Sequence, residues 1–158
     1  MCEPLIMTYL NKTIVVEPNV QLDLQEYRQC RPNQPEQGGT LLGEWRGEHM
    51  RVTRITRPQT TDKATRNSFV RCGRTHSKLI RIEWEKSGGL TNYLGEWHTH
   101  PEPYPTPSTT DLTNWKRLNG PDPVLLMIQG TVDTWWGILV RGQFYCITNS
   151  HSQSLVYE

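Results

Sequence analysis

The tetrapeptide His98-Thr99-His100-Pro101 limits this chain more than any other feature. Residues two apart share a face on a strand, whereas the same spacing on a helix separates them by about 200°. Both imidazoles reach one point only if the segment is extended, and Tyr93 to Trp97 before it reads as strand. Pro101 cannot continue a ladder, so the histidines fall at the strand's C-terminal edge. Three prolines within Glu102 to Pro107 exclude regular structure there. Ser108-Thr109-Thr110-Asp111 then carries the capping pattern of a helix that runs to Asn119 and is stopped by Gly120-Pro121.

The rest of the chain alternates between short elements. Thr13 to Val16 is a β-branched run predicted to be the first strand, and Asn19 to Gln29 a helix capped at Asn19. Arg31 to Gly39, with two prolines and two glycines, is a connection. Thr40 to Trp45 and His49 to Arg57 flank Arg46-Gly47-Glu48 as a β-hairpin, with Met50, Val52, Arg54 and Thr56 on one face of its second arm. Pro58 to Asn67 reads as a polar loop, and Thr75 to Ser87 as an amphipathic helix that ends at Gly88-Gly89. Val124 to Gln129, Thr134 to Val140 and Gln143 to Thr148 follow as strands, with Leu155 to Tyr157 as a further candidate. The expected fold is a mixed α/β domain with a largely antiparallel sheet and two or three helices.

Composition excludes several classes. The 158 residues suit one domain, and 17 basic against 16 acidic side chains leave a net charge of only +1. That balance argues against a generic nucleic-acid coat and against intrinsic disorder. The longest apolar run, Val124 to Ile128, is far short of the ~20 residues of a spanning helix. The N-terminus lacks a basic stretch, so no signal peptide is read and the expected location is the cytoplasm. Cys2, Cys30, Cys72 and Cys146 are widely spaced and are expected to be free thiols, with Cys146 buried. Trp97 is expected in the core, Trp135 and Trp136 on opposite faces of a strand, and Trp45 in the core or along a substrate groove. His49, His76 and His151 are expected at the surface. Arg51 to Arg81 holds nine basic residues and one acidic residue, which marks either a solvated face or a docking surface for an acidic partner.

A carboxylate in the first turn of a helix, facing a strand that ends in two imidazoles, completes a two-histidine, one-aspartate set. Three protein ligands and an open position make a catalytic zinc site. By spacing alone, Glu96 and Glu102 rival Asp111 as the third ligand. A water activated on such an ion also needs a base, for which Glu36, Glu44 and Glu48 are all available.

His98-Thr99-His100-Pro101, six residues, then Ser108-x-x-Asp111 resembles the JAMM (MPN+) metalloprotease pattern without a gap. Glu36-Gln37-Gly38-Gly39-Thr40-Leu41-Leu42-Gly43 resembles that family's glutamate-bearing segment. Gly95 to Glu102 further resembles the prokaryotic JAB branch of CBASS anti-phage operons, where such proteins accompany an E1/E2-like conjugating enzyme and a nucleotidyltransferase. The resemblance implies a single JAB/MPN domain over residues 1–158 with a curved, cytidine-deaminase-like sheet. It implies Zn2+ held by His98, His100 and Asp111, Glu36 as base, and Ser108 bonded to the water or the developing oxyanion. The implied activity is cleavage of the isopeptide bond after the extended C-terminal tail of a ubiquitin-like protein or a conjugated nucleotidyltransferase. Trimming of a sulfur-carrier precursor and a non-catalytic MPN scaffold are the alternatives.

Overall fold

A computed structural model describes residues 2–149. Strands β1 (Leu5–Tyr9) and β2 (Lys12–Val16) form a hairpin and lead into helix α1 (Pro18–Glu26). A second hairpin, β3 (Gly38–Arg46) and β4 (His49–Ile55), is followed by a small one, β5 (Lys63–Thr65) and β6 (Ser68–Val70). Helix α2 (Gly73–Lys86), β7 (Asn92–Thr99) and helix α3 (Thr109–Trp115) come next. The chain continues through β8 (Val124–Gln129), β9 (Thr134–Val140), β10 (Gln143–Cys146) and β11 (Thr148–Asn149).

Nine strands make one sheet in the order β10-β9-β8-β7-β3-β4-β2-β1-β11. Among the described strands only the β2–β4 and β7–β8 pairs are parallel, so the sheet is largely antiparallel as expected, and three α-helices accompany it. Strands β10 and β11 lie at opposite ends of this order yet are separated in sequence only by Ile147. Residues two apart are at most about 7 Å apart, so the two edges of the sheet must meet and the sheet curls strongly.

β8 is buried along its whole length because both of its faces are covered. Leu125 and Met127 join Val20 and Leu24 of α1 in one core cluster, and Val124, Leu126 and Ile128 pack with Trp115 of α3 in another. A continuous apolar run is what a strand between two cores requires. Trp97 is buried as expected. Trp136 packs on the first cluster and Trp135 on the second, each only half buried. Trp45 also packs on the first cluster, at the far end of β3 from the histidines.

Several expectations need correction. β1 precedes the expected first strand; Leu10 and Asn11 turn the hairpin with φ of 43° and 62°. Helix α1 starts at Pro18 rather than being capped by Asn19, whose amide instead donates to the Thr53 carbonyl. Proline suits a first helical position because the amide it lacks would be unpaired there anyway. Within the predicted polar loop, Lys63 to Thr65 pairs with Ser68 to Val70. The alternation in β4 fails after Val52, since an irregularity at Thr53 exposes Arg54 and packs Ile55 against the core.

The basic stretch is largely neutralised in space. Arg51 pairs with Glu17, Arg54 with Glu83, Arg57 with Asp23, Arg71 with Glu96 and Arg81 with Glu85. Cys2 and Cys30 are exposed free thiols and Cys72 a half-buried one. The side chain of Cys146, the candidate strand Leu155 to Tyr157 and His151 lie outside the described residues. No described helix is long and apolar enough to cross a membrane.

His49 is exposed, but His76 is fully buried rather than superficial. Its Nδ1 lies 2.8 Å from the Thr56 hydroxyl and its Nε2 3.0 Å from Asp62, whose carboxylate also accepts from the amides of Gln59 and Cys72. The imidazole therefore ties α2, the 56–62 loop and the sheet together through a satisfied polar network. His76→Leu would leave the Thr56 hydroxyl and the Asp62 carboxylate short of a partner. It is expected to cost about 3 kcal/mol of stability, read from the urea midpoint at unchanged m-value.

Candidate metal centre

The site lies where β7 and β8 end and β3 begins. β3 runs antiparallel to β7 with Gly38 opposite His98 and Gly39 opposite Trp97. Continuing that register two residues sets Glu36 opposite His100, and the Thr99 amide extends the ladder by donating to the Gln37 carbonyl at 2.8 Å. The two glycines are required by packing. A Cβ at Gly38 would stand 2.5 Å from the Trp97 carbonyl oxygen, and one at Gly39 2.2 Å from that of Thr56. On the other side, α3 opens with a full capping box: the Asp111 amide donates to Ser108 Oγ at 3.0 Å, and the Ser108 amide to Asp111 Oδ2 at 2.9 Å. The local reading of Ser108 and Asp111 as a cap is thus correct, and the cap also fixes the carboxylate's direction.

Three donor groups converge. His98 Nε2 and His100 Nε2 are 3.1 Å apart, His100 Nε2 is 3.0 Å from Asp111 Oδ2, and His98 Nε2 is 3.2 Å from Asp111 Oδ1. A tetrahedral ion bonded at about 2.0–2.1 Å holds its donor atoms about 3.3 Å apart, so these side chains fit around one zinc-sized cation. Glu36, buried at 3% exposure, faces the same point with Oε1 3.9 Å from His100 Nε2. That places it within reach of the ligand atoms of both histidines but outside the tight triangle.

The charges favour a cation here. Burial pushes the Glu36 carboxyl up to about 7, only partly opposed by His100, while Asp111 and Glu102 add to the rise. Burial disfavours a charged His100, yet its bonds to Asp111 and Glu102 prevail and raise it to about 9. Asp111 is held far below the usual carboxylate range, because hydrogen bonds from His100 and His98 outweigh its burial. The carboxyl groups of Asp111, Glu36 and Glu102 thus make the surroundings of His100 favourable to positive charge.

The other candidate glutamates lie apart from the convergence point. Glu102 Oε1 bonds to His100 Nδ1 at 2.9 Å, on the far side of the ring from the convergence point, and so orients the imidazole. Glu96 is turned to Arg71, whose Nε meets its two oxygens at 2.8 and 2.9 Å. Glu44 pairs with Arg46, and Glu48 is exposed near Lys12, at the other end of the sheet. Residues that sequence reasoning passed over also shape the site. Thr65 accepts from the Glu36 amide at 2.8 Å, and Gln29 bonds to Thr99. No sequence pattern marks Gln29; its importance comes from contacts distant in the chain. Beside His98, a groove of about 310 Å3 runs between Phe69 and Val70 of the small hairpin and Asn114, Trp115 and Arg117 around α3.

Comparison with known proteins agrees with this geometry. Residues 21–138 match the family model described as prokaryotic homologs of the JAB domain. A protein of Escherichia coli named CD-NTase/cGAS isopeptidase is 36% identical over 129 residues, covering 81% of this chain and 83% of the relative. One of the same name from Vibrio cholerae is 40% identical over 125 residues, covering 78% and 80%. A solution structure of a Desulfitobacterium hafniense protein superposes with a TM-score of 0.61 at 21% identity over 87% of this chain and 89% of the other, which supports the fold alone. This chain belongs to the prokaryotic JAB family of metalloproteases.

Proposed function

We propose that this chain is a zinc-dependent isopeptidase that releases a CD-NTase from the amines to which its C-terminus has been joined, acting in the cytoplasm as part of CBASS anti-phage defence. The observation that carries the reading is the convergence of His98, His100 and Asp111 at 3.0–3.2 Å with buried Glu36 facing them. The names of the Escherichia coli and Vibrio cholerae relatives support the substrate class. The joining step that it reverses is the task of an E1/E2-like enzyme.

His98, His100 and Asp111 would hold the zinc, and Glu102 would fix the ring of His100. When bound, the zinc would supply Lewis acidity that makes a water acidic near neutral pH and polarises the scissile carbonyl. Glu36 takes a proton from the attacking water and passes it to the departing lysine nitrogen. Its carboxylate, buried and facing the ligand atoms, stands where both transfers occur. The water oxygen bonds to the carbonyl carbon, the C–N bond breaks, and the products are a C-terminal carboxylate and a free amine. Ser108 Oγ already accepts from the Asp111 amide, and its O–H remains available to donate to the oxygen that becomes negative.

The substrate tail lies extended in the groove beside His98. β6 pairs only with β5 among the described strands, so its outer edge offers backbone groups to an added strand.

Glu36→Gln is expected to lower turnover of a CD-NTase–fluorescent protein fusion by at least about 10²-fold at unchanged zinc content. Retained activity would move the base elsewhere. His98→Ala and Asp111→Ala are expected to lose stoichiometric zinc, measured by elemental analysis. Glu102→Ala should keep one zinc but bind it about 10–100-fold more weakly in a chelator competition. Chelation should abolish cleavage and zinc restore it, whereas a thiol reagent should leave it intact; strong thiol inhibition would instead indicate a cysteine nucleophile.

A further inference from the structure

The ladder between β3 and β7 ends irregularly at Glu36. At its last position the Thr99 amide donates to the Gln37 carbonyl, but the Gln37 amide returns its bond to the Thr99 side chain, Oγ1, at 3.0 Å. The Thr99 hydroxyl hydrogen is committed in turn to Gln29 Oε1 at 2.7 Å. The Gln29 amide nitrogen then donates to the Gln34 carbonyl at 3.1 Å and to the Arg66 carbonyl at 3.2 Å. Gln29 and Thr99 are 3% and 0% exposed, so the bond between their side chains is shielded from water.

We infer that the buried pair Gln29–Thr99 is the positioning device for Glu36, locking the base to the histidine strand and to the hairpin that borders the groove. The inference rests on the reading of Glu36 as the base and goes beyond it. Thr99 stands between the two histidines but points to the opposite face of β7, so it acts on the chemistry only through the peptide that carries Glu36. From the connection that follows α1, Gln29 reaches three other segments: the loop before Glu36, β7 and the β5–β6 turn. Through Arg66 it ties the hairpin's placement to that of the base, whose own amide is bonded to Thr65 in the same hairpin. Removing either side chain leaves the convergence of His98, His100 and Asp111 untouched while freeing the Glu36 peptide. A displacement of about 1 Å in a reacting group costs on the order of 10²-fold in rate.

The test uses Thr99→Val, which keeps the shape and loses the hydroxyl, with Thr99→Ser as the conservative variant and Gln29→Leu as the second site. Thr99→Val should lower kcat on the fusion substrate about 10–100-fold, with KM within a factor of two and one zinc bound. Thr99→Ser should recover most of the loss. Gln29→Leu should lower kcat and also raise KM, because the hairpin along the groove is released. Independently of any substrate, the Gln37 amide should exchange with deuterium at least tenfold faster in Thr99→Val. Wild-type kcat and unchanged Gln37 exchange in both variants, alongside an inactive Glu36→Gln, would overturn the inference. Loss of zinc in Thr99→Val would also overturn it, by placing the effect on the ligands. An active Glu36→Gln would instead refute the assignment of the base.

Discussion

The pairing of β3 with β7 in one particular register is what the rest of the site depends on. With Gly38 opposite His98, the residue two before Gly38 faces the residue two after His98, and Glu36 meets His100. A slip of one residue would turn Glu36 to the opposite face and leave the histidines without a facing carboxylate. The register is held by close packing: carbonyls of Trp97 and Thr56 lie where Cβ atoms of residues 38 and 39 would be, and the Phe69 ring crosses Gly38. Larger residues there would push β3 away from both neighbours. The glycines are thus part of the site although they touch no reacting group.

Around this pairing, the electrostatics follow from placing three carboxyl groups beside two imidazoles at the edge of an apolar core. Each group would be costly to bury alone. Glu102 and Asp111 grip His100 from its two ring nitrogens, the capping box restrains Asp111, and burial, with the nearby Asp111 and Glu102 charges, raises the Glu36 carboxyl. The result is a fixed set of donors with one member standing apart from the others, an arrangement suited to proton transfer. The same logic explains why Glu96, two residues along the strand from His98, is paired with Arg71 and turned away from the centre.

Much of the local structure was legible in the chain. The extended His98-Thr99-His100 segment, its termination at Pro101, the cap at Ser108 and Asp111, and the Gly47 turn of the β3–β4 hairpin all depend on neighbours within a few residues. The same local rules misread other places. Asn19 looks like a cap but bonds across to Thr53, and Arg54 follows an apolar alternation that an irregularity at Thr53 interrupts. The short hairpin at 63–70 has no strong strand pattern and is placed by its bond to the Glu36 amide and by the Phe69 ring against Gly38. His76 has no periodic signature; its burial follows from Thr56 and Asp62, 20 and 14 residues away.

What could be read from the amino acids alone was therefore the type of chemistry and the local geometry of its parts: two imidazoles on an extended edge, a carboxylate on a helix's first turn, and a list of glutamates. Which glutamate faces the two imidazoles, and which bonds the far nitrogen of a ring or pairs with an arginine, depends on strand register, sheet curl and long-range packing. The reason is physical. Side-chain periodicity and capping are set by backbone geometry over three or four residues, whereas register and burial depend on the joint packing of segments tens of residues apart, where no single stretch of chain carries the information.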